Sequence, residues 1–210
     1  MATPTREDFG YGSEDSGVLA VADQPEQVEP RLLKGRLRCP SCADGVLGPW
    51  GFARERELRH GNGCERRRFR RSRCRVCKAT HVLVPTSTLL RRLDDVEIIG
   101  AALLAKATGQ GHRCIAAALG LPATTVRGWL RRFQRRAVAI WALAVGLAHR
   151  DDPELGPIEA RGSPVSDAVD ALGIAVAAFT RRFGPIRSTW EAVSAMTGAL
   201  LLSPTALPTW

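Results

Sequence analysis

From Leu93 to Phe133 apolar residues recur at helical spacing, with clear punctuation between them. A first helix is predicted from Asp94 as N-cap, with Glu97 at capping-box spacing. It continues through Ile98, Ala101, Ala102 and Ala105 and ends at Gly109. A second, short helix runs from His112 or Arg113 to Leu119. After the turn Gly120-Leu121-Pro122 a third runs from Ala123 to about Arg136. Further on, Ala-, Val- and Leu-rich stripes predict helices over 137–150, 165–183 and 187–202, the first of which can also be read as continuing the third helix. Trp141, Phe179 and Trp190 belong to their packed faces. Upstream the period shortens. Strands are predicted near 46–52 and 65–71, around a turn at Gly61-Asn62-Gly63. Residues 1–30, rich in Gly, Ser and Pro, show no sustained period and read as a disordered acidic tail.

Charge sharpens this division. The formal net charge is +9, but residues 1–30 carry one basic and seven acidic side chains. Residues 31–136 carry 24 basic and seven acidic, and residues 137–210 five and seven. The positive field therefore belongs to the middle of the chain, where it favours an anionic partner such as nucleic acid. The N-terminus lacks the charged and apolar regions of a signal peptide, and no apolar run approaches the roughly 20 residues needed to span a bilayer. The expectation is a cytoplasmic protein with no membrane partner.

In a reducing compartment, six cysteines point to a metal rather than to disulfides. Cys39-Pro-Ser-Cys42 and Cys74-Arg-Val-Cys77 are two CxxC pairs, and each such turn presents two thiolates on one side of a tight loop. Together Cys39, Cys42, Cys74 and Cys77 predict a zinc ribbon over 31–84 with Zn²⁺ as cofactor. Zn²⁺ would supply folding energy that so short a segment cannot draw from its own core. Cys64, His60 or His81 could each replace one of these ligands, and a redox role for one pair is the other alternative. Cys114, among apolar neighbours in a predicted helix, reads as a small core residue.

Between Arg66 and Arg75 seven of ten residues are arginine. Read as one strand, Arg66, Arg68 and Arg70 face one side and Arg67, Phe69, Arg71 and Arg73 the other. A strand basic on both faces is not deeply buried on either. Arg66, Arg68 and Arg70 are therefore candidates to contact DNA phosphates without reading sequence, the alternative being a solvated charged face. Only Phe69 lies within this basic strand, so aromatic platforms for stacking RNA bases look sparse.

On the third helix Val126, Trp129, Leu130 and Phe133 form one stripe, and Thr124, Arg127, Gly128, Arg131 and Arg135 lie opposite. Pro122 stands where a Ser or Thr cap is usual, which leaves Thr124 and Thr125 as alternatives for the outward position. The string "IAAALGLPATTVRGWLRRF" (115–133) resembles the helix-turn-helix of bacterial regulators and transposases. Over 39–136, the cysteine pairs, "THVLVP" and this string resemble a poorly characterised actinobacterial family. That family is similar to the N-terminal DNA-binding part of insertion-sequence transposases. The resemblance implies double-stranded DNA as partner. Thr124, Thr125, Arg127, Gly128, Arg131 and Arg135, with Arg113 on the preceding helix, are then the candidates to meet it.

The expected fold is mainly α with a small β zinc ribbon: the ribbon (31–84), a trihelical helix-turn-helix (85–136) and a helical tail (137–210). Core packing is the default for the tail, and a homodimer through it is the alternative. No residue set suggests a nucleophile with a base, and the acidic residues after Arg136 do not assemble a two-metal nuclease core, so the chain reads as no enzyme. The leading function is a sequence-specific DNA-binding protein, either a transcriptional regulator or a transposon-associated factor. The alternatives are the DNA-binding subunit of a split or degenerate transposase and a zinc-stabilised adaptor for RNA or protein.

Overall fold

A computed structural model of the chain describes residues 11–13, 18–21, 25–61 and 63–208. In chain order its strands are β1 (Tyr11–Ser13), β2 (Val18–Val21), β3 (Leu47–Phe52), β4 (Arg56–His60), β5 (Gly63–Arg67), β6 (Arg70–Cys74) and β7 (Thr80–Pro85). Its helices are α1 (Pro25–Leu33), α2 (Val96–Ala107), α3 (His112–Leu119), α4 (Ala123–Gln134), α5 (Ala137–Asp151), α6 (Pro164–Phe183) and α7 (Thr189–Met196). They gather into two units, Met1–Val96 with Ser194–Thr209, and Glu97–Val193. These boundaries differ from those drawn in the sequence at 30, 84 and 136.

The first unit is built on a five-stranded sheet of order β1-β2-β7-β6-β3, in which only β2 and β7 pair in parallel. Successive side chains of a strand point to opposite faces, and both faces of this sheet are covered. Leu19, Val21 and Leu83 join Val28, Leu32, Leu37 and Leu47 on one side. Ala20 and Val84 join Leu58, Phe69 and Ala199 on the other. A parallel strand buried on both faces reads as a continuous apolar run rather than an alternation, and Val18-Leu-Ala-Val21 is such a run. The tail expected over 1–30 is thus replaced, in its described part, by β1, β2 and the start of α1. Residues 1–10, 14–17 and 22–24 lie outside the described residues. In α1, Val28 and Leu32 sit one turn apart and bury the same face.

The chain reverses between β4 and β5, which form a separate two-stranded sheet; Asn62 of the expected turn lies outside the described residues. The strand predicted over 46–52 pairs instead with β6. The last helix also ends earlier than expected. Gly198 and Ala199 both take left-handed backbone (φ 59° and 61°), which halts the helix and turns Leu200, Leu201 and Leu202 into the core.

In the second unit, α3 closes on Gly120 in the left-handed region (φ 64°), and α4 starts directly after Pro122. The buried face of α4 is Val126, Trp129, Leu130 and Phe133, the stripe seen in the sequence. The chain breaks helical geometry at Arg136 (φ −116°, ψ 1°), so α5 is a separate helix and not an extension of α4. In α2 the buried residues of this unit are Ile99, Gly100, Ala102 and Leu103. The expected stripe through Ile98, Ala101 and Ala105 was rotated, because Gly100 is itself a packing position. It lies so close to the Trp190 indole that a Cβ there would collide with the ring. The C-terminal ends of α5 and α6 meet, through Arg181 to Asp152 at 2.7 Å and Arg182 to the buried Asp151 at 3.2 Å. Among the described residues no helix is long and apolar enough to cross a membrane.

Candidate metal centre and basic faces

The loops carrying the two CxxC pairs are each closed by a backbone hydrogen bond from the first cysteine, one over six residues and the other over five. Cys39 N–H donates to the Gly45 carbonyl (2.9 Å) and Cys74 N–H to the Ala79 carbonyl (2.8 Å), closing each loop. Within each loop a backbone N–H two residues on donates to the first sulfur, Ser41 to Cys39 Sγ (3.4 Å) and Val76 to Cys74 Sγ (3.3 Å). The four Sγ atoms of Cys39, Cys42, Cys74 and Cys77 lie within 4.8 Å of one another and can hold a metal ion.

The spacing discriminates between chemistries. A disulfide needs about 2.05 Å between sulfurs, whereas Cys39–Cys77 and Cys42–Cys74 are each 3.7 Å apart and all six cysteines are free. Sulfurs at tetrahedral corners, each about 2.3 Å from a central ion, would be roughly 3.8 Å apart. Gly45 forms the wall of this cradle. A Cβ there would sit 2.5 Å from Cys42 Sγ, closer still to Cys74 Sγ, and 3.0 Å from Cys39 Cβ.

Electrostatics within the cluster are uneven. Burial pushes the Cys39 thiol up to about 12, and burial also raises Cys42. Burial acts upward on Cys74 too, but the N–H groups of Val76 and Cys77 outweigh it and bring that thiol down to about 6. His81 lies behind the cluster, buried, with Nε2 3.5 Å from Cys39 Sγ, and burial lowers its pKa. A thiolate can only accept, so a charged Cys39 holds His81 with its proton on Nε2. Of the residues considered as replacement ligands, His81 stands beside Cys39 and outside the four-sulfur group. His60 is engaged with Asp95 (2.9 Å) and Glu65 (3.4 Å), and Cys64 is exposed on β5 opposite Arg59.

The arginine run is not one strand. Arg66 and Arg67 lie on β5 and Arg70, Arg71 and Arg73 on β6, in different sheets, with Arg68 and the buried Phe69 between them. Nor is β6 shallow, since Ser72 and Cys74 on it are fully buried. Arg70 is already spent. It donates to both oxygens of Glu29 (2.8 and 2.9 Å) and to the Gly51 carbonyl (2.7 Å). Arg66 and Arg68 remain exposed. Two exposed aromatics that the sequence did not single out, Trp50 and Phe52, flank this region on β3.

On α4, Thr124, Arg127 and Arg131 are exposed, as is Arg135 at its C-cap, while Thr125 and Gly128 are half-buried. This makes Thr124 the outward threonine. Arg113 on α3 is exposed, and so is Cys114, which is not a core residue. No Asp or Glu occurs in the chain between Glu97 and Asp151. The α4 arginines consequently find no carboxylate on their own or neighbouring turns, and the face stays positive.

No family model, curated protein or solved structure matches the chain.

Proposed function

We propose that the chain is a zinc-containing, sequence-specific DNA-binding protein that carries out no catalytic step. The observation that carries this reading is the division of α4, which buries Val126, Trp129, Leu130 and Phe133 and turns Thr124, Arg127 and Arg131 to solvent, with Arg135 exposed at its C-cap. α3, the left-handed Gly120 turn and α4 support reading this pair of helices as a helix-turn-helix. In that motif the second helix lies in the major groove, and arginine there can bind O6 and N7 of a guanine in bidentate fashion. The resemblance to the DNA-binding part of insertion-sequence transposases supports the same reading. It suits a regulator or an accessory factor of a mobile element acting on double-stranded DNA.

Zn²⁺ is the ion that best suits the first unit. Four thiolates at tetrahedral spacing, with no ligand position left open, are the donor set of a structural zinc site. Bound there, zinc would lock the two CxxC loops together and supply folding energy. Arg66 and Arg68 are the phosphate contacts of this unit, while Arg70 braces it internally.

Purified protein should carry one zinc per chain and bind duplex DNA with strong salt dependence. Log affinity should fall with log salt with a slope of about −0.9 per phosphate contacted. A metal-replete chain whose binding to duplex DNA is weak and insensitive to salt would overturn the proposal.

A further inference from the structure

One face of the five-stranded sheet carries charge that nothing in the first unit neutralises. Side chains two apart on a strand share a face, so Arg71 and Arg73 of β6 lie together. Their partners across the ladder on β7, Val82 and Thr80, lie on the same face. Arg75, the first residue past the end of β6, joins them. Gly48 pairs with Arg73 and so points the same way, and a Cβ built on it would meet Arg75 Nε at 3.3 Å. Lacking a side chain, Gly48 leaves the bed on which Arg75 lies. Trp50 shares this face, with the Arg73 guanidinium 4.6 Å from its ring, a contact that holds Arg73 in place. Three arginine stems thus leave the chain in a row, at steps of roughly 7 Å.

The row opens along its length. Arg71 and Arg73 are half-buried and Arg75 is exposed. Among the described residues none of the three pairs with a carboxylate. Arg73 donates to the Lys78 carbonyl (3.2 Å), an uncharged acceptor. The Nε of Arg71 is buried without a hydrogen-bond partner, and a buried donor of that kind calls for an acceptor from outside the chain. The opposite face of β6 differs, because both oxygens of Glu29 hold Arg70 there (2.8 and 2.9 Å). Only one face of the strand therefore keeps its charge for an external anion.

A row of fixed cations suits a polyanion of regularly repeated charge, and the backbone of duplex DNA carries one charge per about 1.7 Å of its axis. This face is not shaped to read bases. β6 lies between β7 and β3, so the row belongs to a surface three strands wide, whereas the major groove admits an α-helix or a two-stranded ribbon. We propose that the Arg71–Arg73–Arg75 face grips the phosphate backbone of duplex DNA without regard to sequence, in addition to Arg66 and Arg68. The choice of DNA rests on the function proposed above, while the anion-binding face rests on the three arginines alone.

The test uses the full-length zinc-loaded protein and a labelled random-sequence duplex, with anisotropy read over a range of salt concentrations. Arg73→Ala with Arg75→Ala should lower the slope of log affinity against log salt by about 2, one for each arginine removed, and leave zinc content unchanged. Lysine at both positions keeps the charge and should restore most of that slope. Arg70→Ala removes a cation from the opposite face and should leave the slope unaltered. Arg75→Ala alone changes an exposed side chain and should lower the slope by about 1, so it decides the matter even if the double variant loses zinc and unfolds. A wild-type slope in either alanine variant would overturn the proposal. So would an equal fall in Arg70→Ala, or no recovery with lysine. Tighter binding of double-stranded RNA than of DNA, lost in the double variant, would overturn the assignment to DNA. Wild-type binding with no preference among sequences would instead count against the α4 reading and leave this comparison intact.

Discussion

Replacing Gly45 by alanine adds one methyl group to the wall of the cysteine cluster. The new Cβ would stand 2.5 Å from Cys42 Sγ, nearer to Cys74 Sγ, and 3.0 Å from Cys39 Cβ. Non-bonded heavy atoms rest at about 3.5–4.0 Å, so the overlap is about 1 Å at two of the four sulfurs. The loop has little room to yield, because the Gly45 carbonyl accepts the bond from Cys39 that closes it. Gly45 is not in the left-handed region, so the penalty is steric alone. One extra methyl in a packed site typically costs about 1–3 kcal/mol. Here it also displaces two ligands from tetrahedral positions, so the loss should reach at least about 3 kcal/mol, or roughly 100-fold in zinc affinity. Competition with a chromophoric chelator measures it. Gly61→Ala is the control, since a Cβ there meets nothing within 4 Å. A Gly45→Ala protein that binds zinc as tightly as wild type would refute the reasoning.

Proton release on zinc binding follows from the thiol pKa directions. With Cys39 at about 12 and Cys42 raised above its ordinary 9.0, both are protonated at pH 7.5, so binding should release at least two protons. Cys74 is already a thiolate at that pH. It should add a further proton, and a further loss of affinity, only as the pH falls through about 6. Calorimetry in buffers of different ionisation enthalpy counts these protons, and fewer than two at pH 7.5 would contradict the assignment. Arg70→Ala should destabilise the first unit by about 1–2 kcal/mol in urea melts, since it removes the bonds to Glu29 and Gly51. Arg68→Ala should leave stability nearly unchanged and instead weaken all DNA alike while reducing the salt slope by about 1. Gly100→Ala should destabilise the second unit by at least about 1–3 kcal/mol on thermal unfolding, because the methyl meets the Trp190 ring.

The parts legible in the sequence were those with a local signature. The CxxC pairs declare themselves because two thiolates must share one turn, and the structure brings all four sulfurs together. The α4 stripe was legible because Val126, Trp129, Leu130 and Phe133 repeat at the helical period. What was lost depended on partners distant in the chain. Val18–Val21 is too short to show a period, and only its parallel pairing with β7 makes it a core strand. The arginine run looked like one strand because nothing in its composition marks the break at Arg68 and Phe69, where the chain leaves one sheet for another. Phe69, taken as the one aromatic of the basic face, is buried, while Trp50 and Phe52 hold the exposed positions. The glycines at 45 and 100 gave no sign of their role, since each is small for the sake of a residue far along the chain.

Selection of bound sequences from a library of random duplex DNA by the zinc-loaded full-length protein tests the central claim most directly. A short enriched motif is expected, with guanine at one or more fixed positions, that relaxes at those positions when Arg127 or Arg131 is replaced by alanine. Recovery of unenriched DNA, or an enriched motif that both replacements leave unaltered, would contradict it.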